Sequence, residues 1–253
     1  MQISLLGPLE VSEDGRPVRV PGEKLRSIVA VLSLNAGRPV PRSELIDELW
    51  DEEPPRSAEN SLHGHIARLR RLLAVGAGKG RLRDTVQTSA AGYALALPQE
   101  AVDAFRFERL VAEAETVQGT QPARAVELLT GALGLWRGPA LLDTGQGLSC
   151  RMAYTRLEGV RLTAYEHLFD ARLRLGQHRA VVAELEQLHA RYPLREHFCE
   201  QLITALYRSG RQAEALDTYH RTRRRLADSL GLEPCRSLRT RFQEVLRQDP
   251  SLM

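Results

Sequence analysis

The sequence predicts a mainly α protein in which a small α+β unit precedes an all-α array, and three observations lead there. Short apolar alternations, three helical periodicities and a closing hairpin follow one another within residues 1–98, the order of a winged helix-turn-helix. After Pro98 the pattern changes to helix upon helix through residue 253. Inside that second block a spacing of 34 residues recurs, the period at which tetratricopeptide-like helix pairs stack to share a core.

In the first block, Gln2 to Leu6 and Leu9 to Ser12 read as strands around Gly7-Pro8, and Asp14-Gly15 is a hairpin turn before a strand at Val18-Arg19-Val20. Pro21-Gly22 closes this sheet. Leu25, Ile28, Val29 and Leu32 recur at three and four residues, so Glu23 to Leu34 forms a core-facing helix that stops near Asn35-Ala36-Gly37. A second helix, Ser43 to Trp50, gathers Leu45, Ile46 and Leu49 on one face, and the acidic loop Asp51-Glu52-Glu53-Pro54-Pro55 follows. The third helix opens at Ser57 or Asn60 and reaches Leu73, where Gly76 to Gly80 breaks it. Thr85 to Thr88 and Tyr93 to Leu97 form the final hairpin through Ser89-Ala90-Ala91-Gly92.

In the second block, helices are expected near 103–118, 122–136, 149–175, 177–191, 194–209, 211–229 and 235–247. Glycine and proline separate them, at Gly119, Gly138-Pro139, Gly176, Pro193, Gly210 and Gly231 among others. Gly176 and Gly210 stand 34 residues apart, and the same offset relates Leu168 to Leu202, Ala171 to Ala205 and Val182 to Leu216. The domain boundary is placed between residues 98 and 99.

Composition narrows the function classes. Net charge is only +3, so a nucleic-acid signal has to come from charge distribution. From Pro54 to Arg83 there are seven bases against one acid, whereas Glu10 to Glu53 carries ten acids against six bases. Cys150, Cys199 and Cys235 lie far apart with no C-x-x-C spacing, which argues against a disulfide framework or a zinc site. The histidines lack metal spacing, since His63 and His65, two apart, diverge on a helix. No Ser-His-Asp or paired-carboxylate constellation is recognisable, and neither enzyme activity nor a cofactor is expected. Gly76-Ala77-Gly78-Lys79-Gly80 is not a phosphate loop, because Leu73 and Gly80 occupy the positions that need glycine and Ser or Thr. The N-terminal residues carry no secretory pattern, and no run approaches the ~18 apolar residues of a membrane span. A cytoplasmic, nucleoid-associated protein without a membrane partner is expected.

The third helix is the candidate reader of DNA. At about 100° per residue, Leu62, Ile66, Leu69 and Leu73 fall on one apolar stripe. Asn60, Ser61, Gly64, Arg68 and Arg71 occupy the other side, with His65 and Arg70 flanking. Arg68 can pair with a guanine edge through two hydrogen bonds, and Gly64 permits close approach of the backbone. Asn60, His65, Arg70 and Arg71 suit phosphates, which set affinity and orientation. Arg42, Thr88 and Tyr93 complete the expected DNA-facing set.

Two further clusters have open readings. Arg221, Arg223, Arg224 and Arg225 form either a solvated helix end, favoured by the helix dipole, or a contact to DNA or an acidic polymerase surface. Trp50, Asp51, Glu52 and Glu53 form either an exposed protein contact or a solvated loop.

The run His65-Ile66-Ala67-Arg68-Leu69-Arg70-Arg71-Leu72-Leu73 with Gly92-Tyr93 resembles the OmpR-type winged helix. Leu135-Trp136-Arg137-Gly138-Pro139-Ala140-Leu141, Pro193-Leu194-Arg195-Glu196, Tyr207 to Leu216, Leu226-Ala227-Asp228 and Leu230-Gly231-Leu232-Glu233-Pro234 resemble the bacterial transcriptional activation domain. Together they are similar to the Streptomyces antibiotic regulatory proteins over nearly the whole chain. The resemblance implies binding to direct repeats of double-stranded promoter DNA near the −35 element, by two protomers head to tail. It also implies recruitment of RNA polymerase holoenzyme through sigma factor and other subunits, at antibiotic gene clusters. The wing departs from the OmpR-type pattern, because Ser89-Ala90-Ala91 supplies no arginine for the minor groove. The rival reading is a tetratricopeptide-like adaptor whose winged helix binds protein.

Overall fold

A computed structural model describes residues 1–51, 53–75, 85–145 and 147–252. The chain divides into two compact units, Met1–Ala112 with Thr130–Leu162, and Glu113–Leu129 with Thr163–Met253. The fold is mostly helical with a small N-terminal sheet, as the periodicities imply.

In the first unit, β1 (Gln2–Ser4), β2 (Glu10–Glu13) and β3 (Arg16–Val18) form an antiparallel sheet with β2 in the centre. Asp14 and Gly15 both adopt positive φ, 48° and 76°, the two-residue turn whose twist matches the strands. This turn sets Arg16 directly opposite Glu13, so β3 begins two residues earlier than the expected Val18-Arg19-Val20. Val20 is still buried, beyond the end of the strand.

Three helices follow: α1 (Glu23–Leu34), α2 (Arg42–Trp50) and α3 (Ala58–Val75). Leu25, Ile28, Val29 and Leu32 of α1, Leu45 of α2 and Leu62, Ile66, Leu69 and Leu73 of α3 are all buried. Each such side chain contributes about 1.5–3 kcal/mol relative to exposure. The closing hairpin is β4 (Val86–Ser89) with β5 (Gly92–Leu95). Val40, just before α2, exchanges both backbone hydrogen bonds with Tyr93, at 2.7 and 3.0 Å. Gly92 makes this approach possible: at its φ of +133°, a Cβ would lie 1.9 Å from the Val40 carbonyl oxygen.

The unit continues past Pro98. At the start of α4 (Asp103–Val117), the Asp103 carboxylate accepts the Leu5 and Leu6 N–H groups at 2.7 and 3.2 Å. Burial pushes this carboxyl above its usual range, and the two N–H donors oppose the shift. After α5 (Pro122–Leu133), the chain runs back along the same segment, with Arg137 N–H on Leu6 O and Leu141 N–H on Leu5 O, both 2.8 Å. Trp136, expected at a helix end, lies beyond α5 with its ring edge-on to Phe107 at 5.2 Å and under the Arg161 guanidinium at 4.3 Å. The next helix, α6 (Leu148–Arg174), begins under the buried Glu48 of α2, whose carboxylate accepts Ser149 N–H at 2.7 Å and Cys150 N–H at 3.3 Å. A negative group at a helix N-terminus satisfies free N–H groups and complements the dipole.

The second unit contains α7 (His178–Arg191), α8 (Glu196–Arg208), α9 (Gln212–Leu230) and α10 (Arg236–Arg247). The repeat read from the sequence is visible in the backbone: Gly176 and Gly210 both take the left-handed conformation, at φ 73° and 79°. Leu168, Leu202, Ala171, Ala205 and Val182 are buried, while Leu216 is half-buried. Between α6 and α8, Asp170 accepts Gln201 Nε2 at 2.7 Å and lies 3.1 Å from His197 Nε2. No described helix is long and apolar enough to cross a membrane.

Two outcomes are expected. Gly92→Ala adds backbone strain of about 1–3 kcal/mol to the collision with Val40, so its denaturant midpoint falls well below that of the parent chain. The hydrogen bond to Asp170 raises the His197 pKa above its usual 6.5 against the effect of burial. The folded state therefore holds this proton over a window in which the unfolded state has lost it. The stabilisation is fully present below pH 6.5 and is lost as pH rises through the raised value. Thermal melts across that window should show a smaller pH dependence in His197→Gln.

Candidate nucleic-acid interface

The candidate interface is the outward side of α3 together with the β4–β5 hairpin. Burial of the stripe from Leu62 to Leu73 fixes the rotation of the helix. The opposite face is thereby exposed, carrying Asn60, Gly64, Arg68 and Arg71. A Cβ at Gly64 would meet nothing within 4 Å, so no packing among the described residues accounts for this glycine. Ser61 is half-buried at the edge of the face. The sequence reading missed two residues on this side: His63 and Ala67 are both exposed. The same helical wheel would have found them, since both project between Asn60 and the apolar stripe on the side of the hairpin.

Several expected contacts have other work in the fold. Arg70 donates from Nε and Nη2 to the Val86 carbonyl oxygen at 2.9 and 2.8 Å, and from Nη2 to Thr88 Oγ1 at 2.6 Å. Arg70 and Thr88, both expected on DNA, therefore hold each other and clasp the hairpin to α3. Tyr93 is only 2% exposed. Its ring sits edge-on to His63 at 6.4 Å and 6.0 Å beneath the guanidinium of the exposed Arg42, supporting these side chains from behind. His65 is half-buried, 6.3 Å from the Trp50 ring. Burial, then the charges of Lys24 and Arg68, hold its pKa below the usual value. At neutral pH His65 therefore offers a hydrogen bond without a charge. At the hairpin tip Ala90 and Ala91 are exposed, in keeping with a wing that lacks an arginine.

The residues expected at a polymerase contact belong to both units. Trp50 is half-buried with Lys24 Nζ 4.3 Å over its ring, and Asp51 and Glu53 are exposed. Glu52 lies outside the described residues, as do Gly76 to Gly80, Arg81 and Arg83. On α9, Arg223 is committed to Glu233 through two hydrogen bonds, at 2.9 and 3.0 Å. Arg221 bonds Asp217 at 2.7 Å. Arg224 turns to the His220 carbonyl at 3.4 Å, and Arg225 is exposed. No grouping of metal-ligating side chains occurs among the described residues. Cys150 and Cys199 are buried; burial raises both thiols, that of Cys199 to about 12.

Comparison with known proteins identifies both segments of the chain. Residues 102–246 match the family described as bacterial transcriptional activator domain, and residues 16–95 match transcriptional regulatory protein, C terminal. The whole chain is 43% identical to the transcriptional regulator RedD of Streptomyces coelicolor, covering 72% of that protein. It is 37% identical to the regulatory protein DnrI of Streptomyces peucetius, covering 94% of it. A solved structure of Mycobacterium tuberculosis EmbR in complex with a low affinity phosphopeptide aligns over 98% of this chain and 65% of that one, with a TM-score of 0.92 at 36% identity.

The Arg70 clasp has a direct consequence. In Arg70→Ala, amide hydrogen exchange across residues 86–95 should speed up while the centre of α3 stays protected. Arg71→Ala should leave the hairpin unchanged.

Proposed function

We propose, from the premise that this chain belongs to the Streptomyces antibiotic regulatory protein family and is a transcription regulator, that it is a sequence-specific DNA-binding activator of secondary-metabolite genes. Residues 1–98 bind DNA, and residues 99–253 form the transcriptional activation domain. The observation that carries this reading is the outward face of α3. Arg68 and Arg71 make no ion pair among the described residues and stand beside a glycine with open space in front of it. In a major groove Arg68 donates two hydrogen bonds to a guanine edge. Asn60 and Arg71 hold phosphates and set the register. Arg70 and Thr88 position the hairpin, and His63 joins the interface beside Arg42.

Two protomers bind direct repeats near the −35 element, and the helical domain helps to hold RNA polymerase holoenzyme, including its sigma factor. Contacts between protomers and to polymerase add to the groove contacts and raise the local concentration of polymerase at the start site. An adaptor that binds only protein would lack this behaviour, because phosphate contacts release counterions and make affinity fall steeply with salt.

Footprinting of the full chain on genomic fragments, with and without polymerase, tests the reading. Preference for no duplex over bulk genomic DNA, even at low salt, would refute it. Arg68→Ala should cost about 1–3 kcal/mol and relax one base position, while Arg71→Ala should weaken all sequences alike and reduce the salt slope by about 0.9. Gly64→Ala should stabilise the free chain by up to about 1 kcal/mol, since alanine is the better helix former, and yet weaken specific binding. Tighter binding on thermal stabilisation would show that the backbone there does not approach DNA.

A further inference from the structure

We infer that the second unit carries a binding site for a small organic acid, a single carboxylate on an apolar body, in the groove between α7 and α9. The site stands apart from the activator reading, since none of its residues belongs to the face of α3 or to the hairpin.

The groove encloses about 750 Å³, inside the roughly 300–1,000 Å³ of small-molecule sites. Leu202 and Leu206 of α8, each 2% exposed, lie at its floor, and Ala190 and Pro193 line it where α7 ends. Thr222 Oγ1 on α9 lies 3.2 Å from His189 Nε2 on α7, which joins the two walls across that floor.

The α9 wall is cationic. Arg221, Arg224 and Arg225 all line the groove. At about 100° per residue these three share one side of the helix, whereas Arg223, held by Glu233, projects the other way. Two of the three act on His189: burial, then the charges of Arg221 and Arg225, hold its pKa below the usual value. The positive field that opposes a proton on this ring attracts an anion beside it.

Four acids share the walls, and three of them are already paired. Glu186 and Glu214 both meet Arg211, at 3.5 and 2.6 Å, and Asp217 accepts a hydrogen bond from Arg221 at 2.7 Å. Arg224, Arg225 and Asp228 make no ion pair among the described residues. Two free cations against one free acid leave a surplus of one positive charge.

This balance selects the ligand. Nucleoside triphosphates and duplex phosphates bring several negative charges to walls that already carry four carboxylates, and like charges repel. A neutral apolar molecule gains nothing from the guanidiniums. One carboxylate pairs with a planar guanidinium through two parallel hydrogen bonds. An apolar body attached to it lies over Leu202, Leu206 and Pro193, away from water.

The test uses the full chain and three probes: 1-naphthoate, its neutral counterpart 1-naphthamide, and ATP. Calorimetry should show 1-naphthoate binding with a Kd below about 1 mM, and both 1-naphthamide and ATP at least about ten-fold more weakly. Arg225 is exposed, so Arg225→Gln should keep the parental Tm and lose about ten-fold in naphthoate affinity, with no change for the amide. Asp228→Asn removes the free acid and should tighten naphthoate about two-fold. Arg223→Gln, on the far side of the helix, should leave that affinity unchanged. A bound carboxylate offsets Arg221 and Arg225, so saturation should raise the His189 pKa, followed by the imidazole NMR shifts. The other titratable groups around this ring are Glu186 on α7, Asp217 on α9 and, behind Thr222, Cys199 on α8. Equal affinities for 1-naphthoate and 1-naphthamide would overturn the site, as would ATP binding the more tightly. An Arg225→Gln variant with parental affinity, or a His189 pKa that stays in place at saturation, would put the carboxylate elsewhere and overturn it too. Promoter binding by a chain that ignores naphthoate would remove this site and leave the activator reading intact.

Discussion

The candidate interface depends on one constraint: α3 must bury an aliphatic stripe, and only one rotation of the helix does so. Turning the helix by a third of a revolution would carry Arg68 to the side that packs on α1 and α2 and would expose Leu62. The cost would be several kcal/mol for the unpaired charge alone. The outward direction of Asn60, Gly64, Arg68 and Arg71 therefore follows from hydrophobic burial, and their number and type can vary without disturbing the core.

Polar groups then hold the scaffold to its neighbours at a few defined points. Asp103 gathers the N–H groups of Leu5 and Leu6, and the segment after Trp136 bonds the carbonyls of the same two residues. The N–H and C=O groups of Leu5 and Leu6, just past β1, are thus satisfied by chain from beyond residue 100. Glu48 does the same for the free N–H groups at the start of α6. Each of these carboxylates is buried and hydrogen-bonded, the condition under which a buried charge can be tolerated. The hairpin follows the same logic, with Gly92 against Val40 at its base and Arg70 against β4 along its side.

Much of this was legible in the residues. The stripe on α3, the hairpin turn at Asp14-Gly15 and the glycine pair at 176 and 210 follow from periodicity and turn chemistry, which are local properties. The helices of the second unit lie within a few residues of their expected bounds for the same reason. The functional residues were less legible. Arg70 and Arg71 are adjacent arginines on one helix, and composition does not distinguish them. Only the approach of β4 gives one to the hairpin and leaves the other exposed. Tyr93 reads as a hairpin residue near DNA, and its burial depends on Val40, 53 positions away in the chain.

By itself, then, the amino-acid order determined which segments form helices and strands to within a few residues, which face of the helices is apolar, and which family the chain resembles. These features depend on neighbours within a few residues, where propensity and periodicity operate. The tertiary structure alone decided which charged groups are already spent: Arg70 on Val86, Glu48 on α6, Arg223 on Glu233, Asp103 on Leu5 and Leu6. Such pairings join residues as much as 102 positions apart. Those of Glu48 and Asp103 form because burial leaves a charge or an N–H group no water to bond, whereas the exposed Arg223 and Glu233 meet only because the fold brings α9 and the turn after it together.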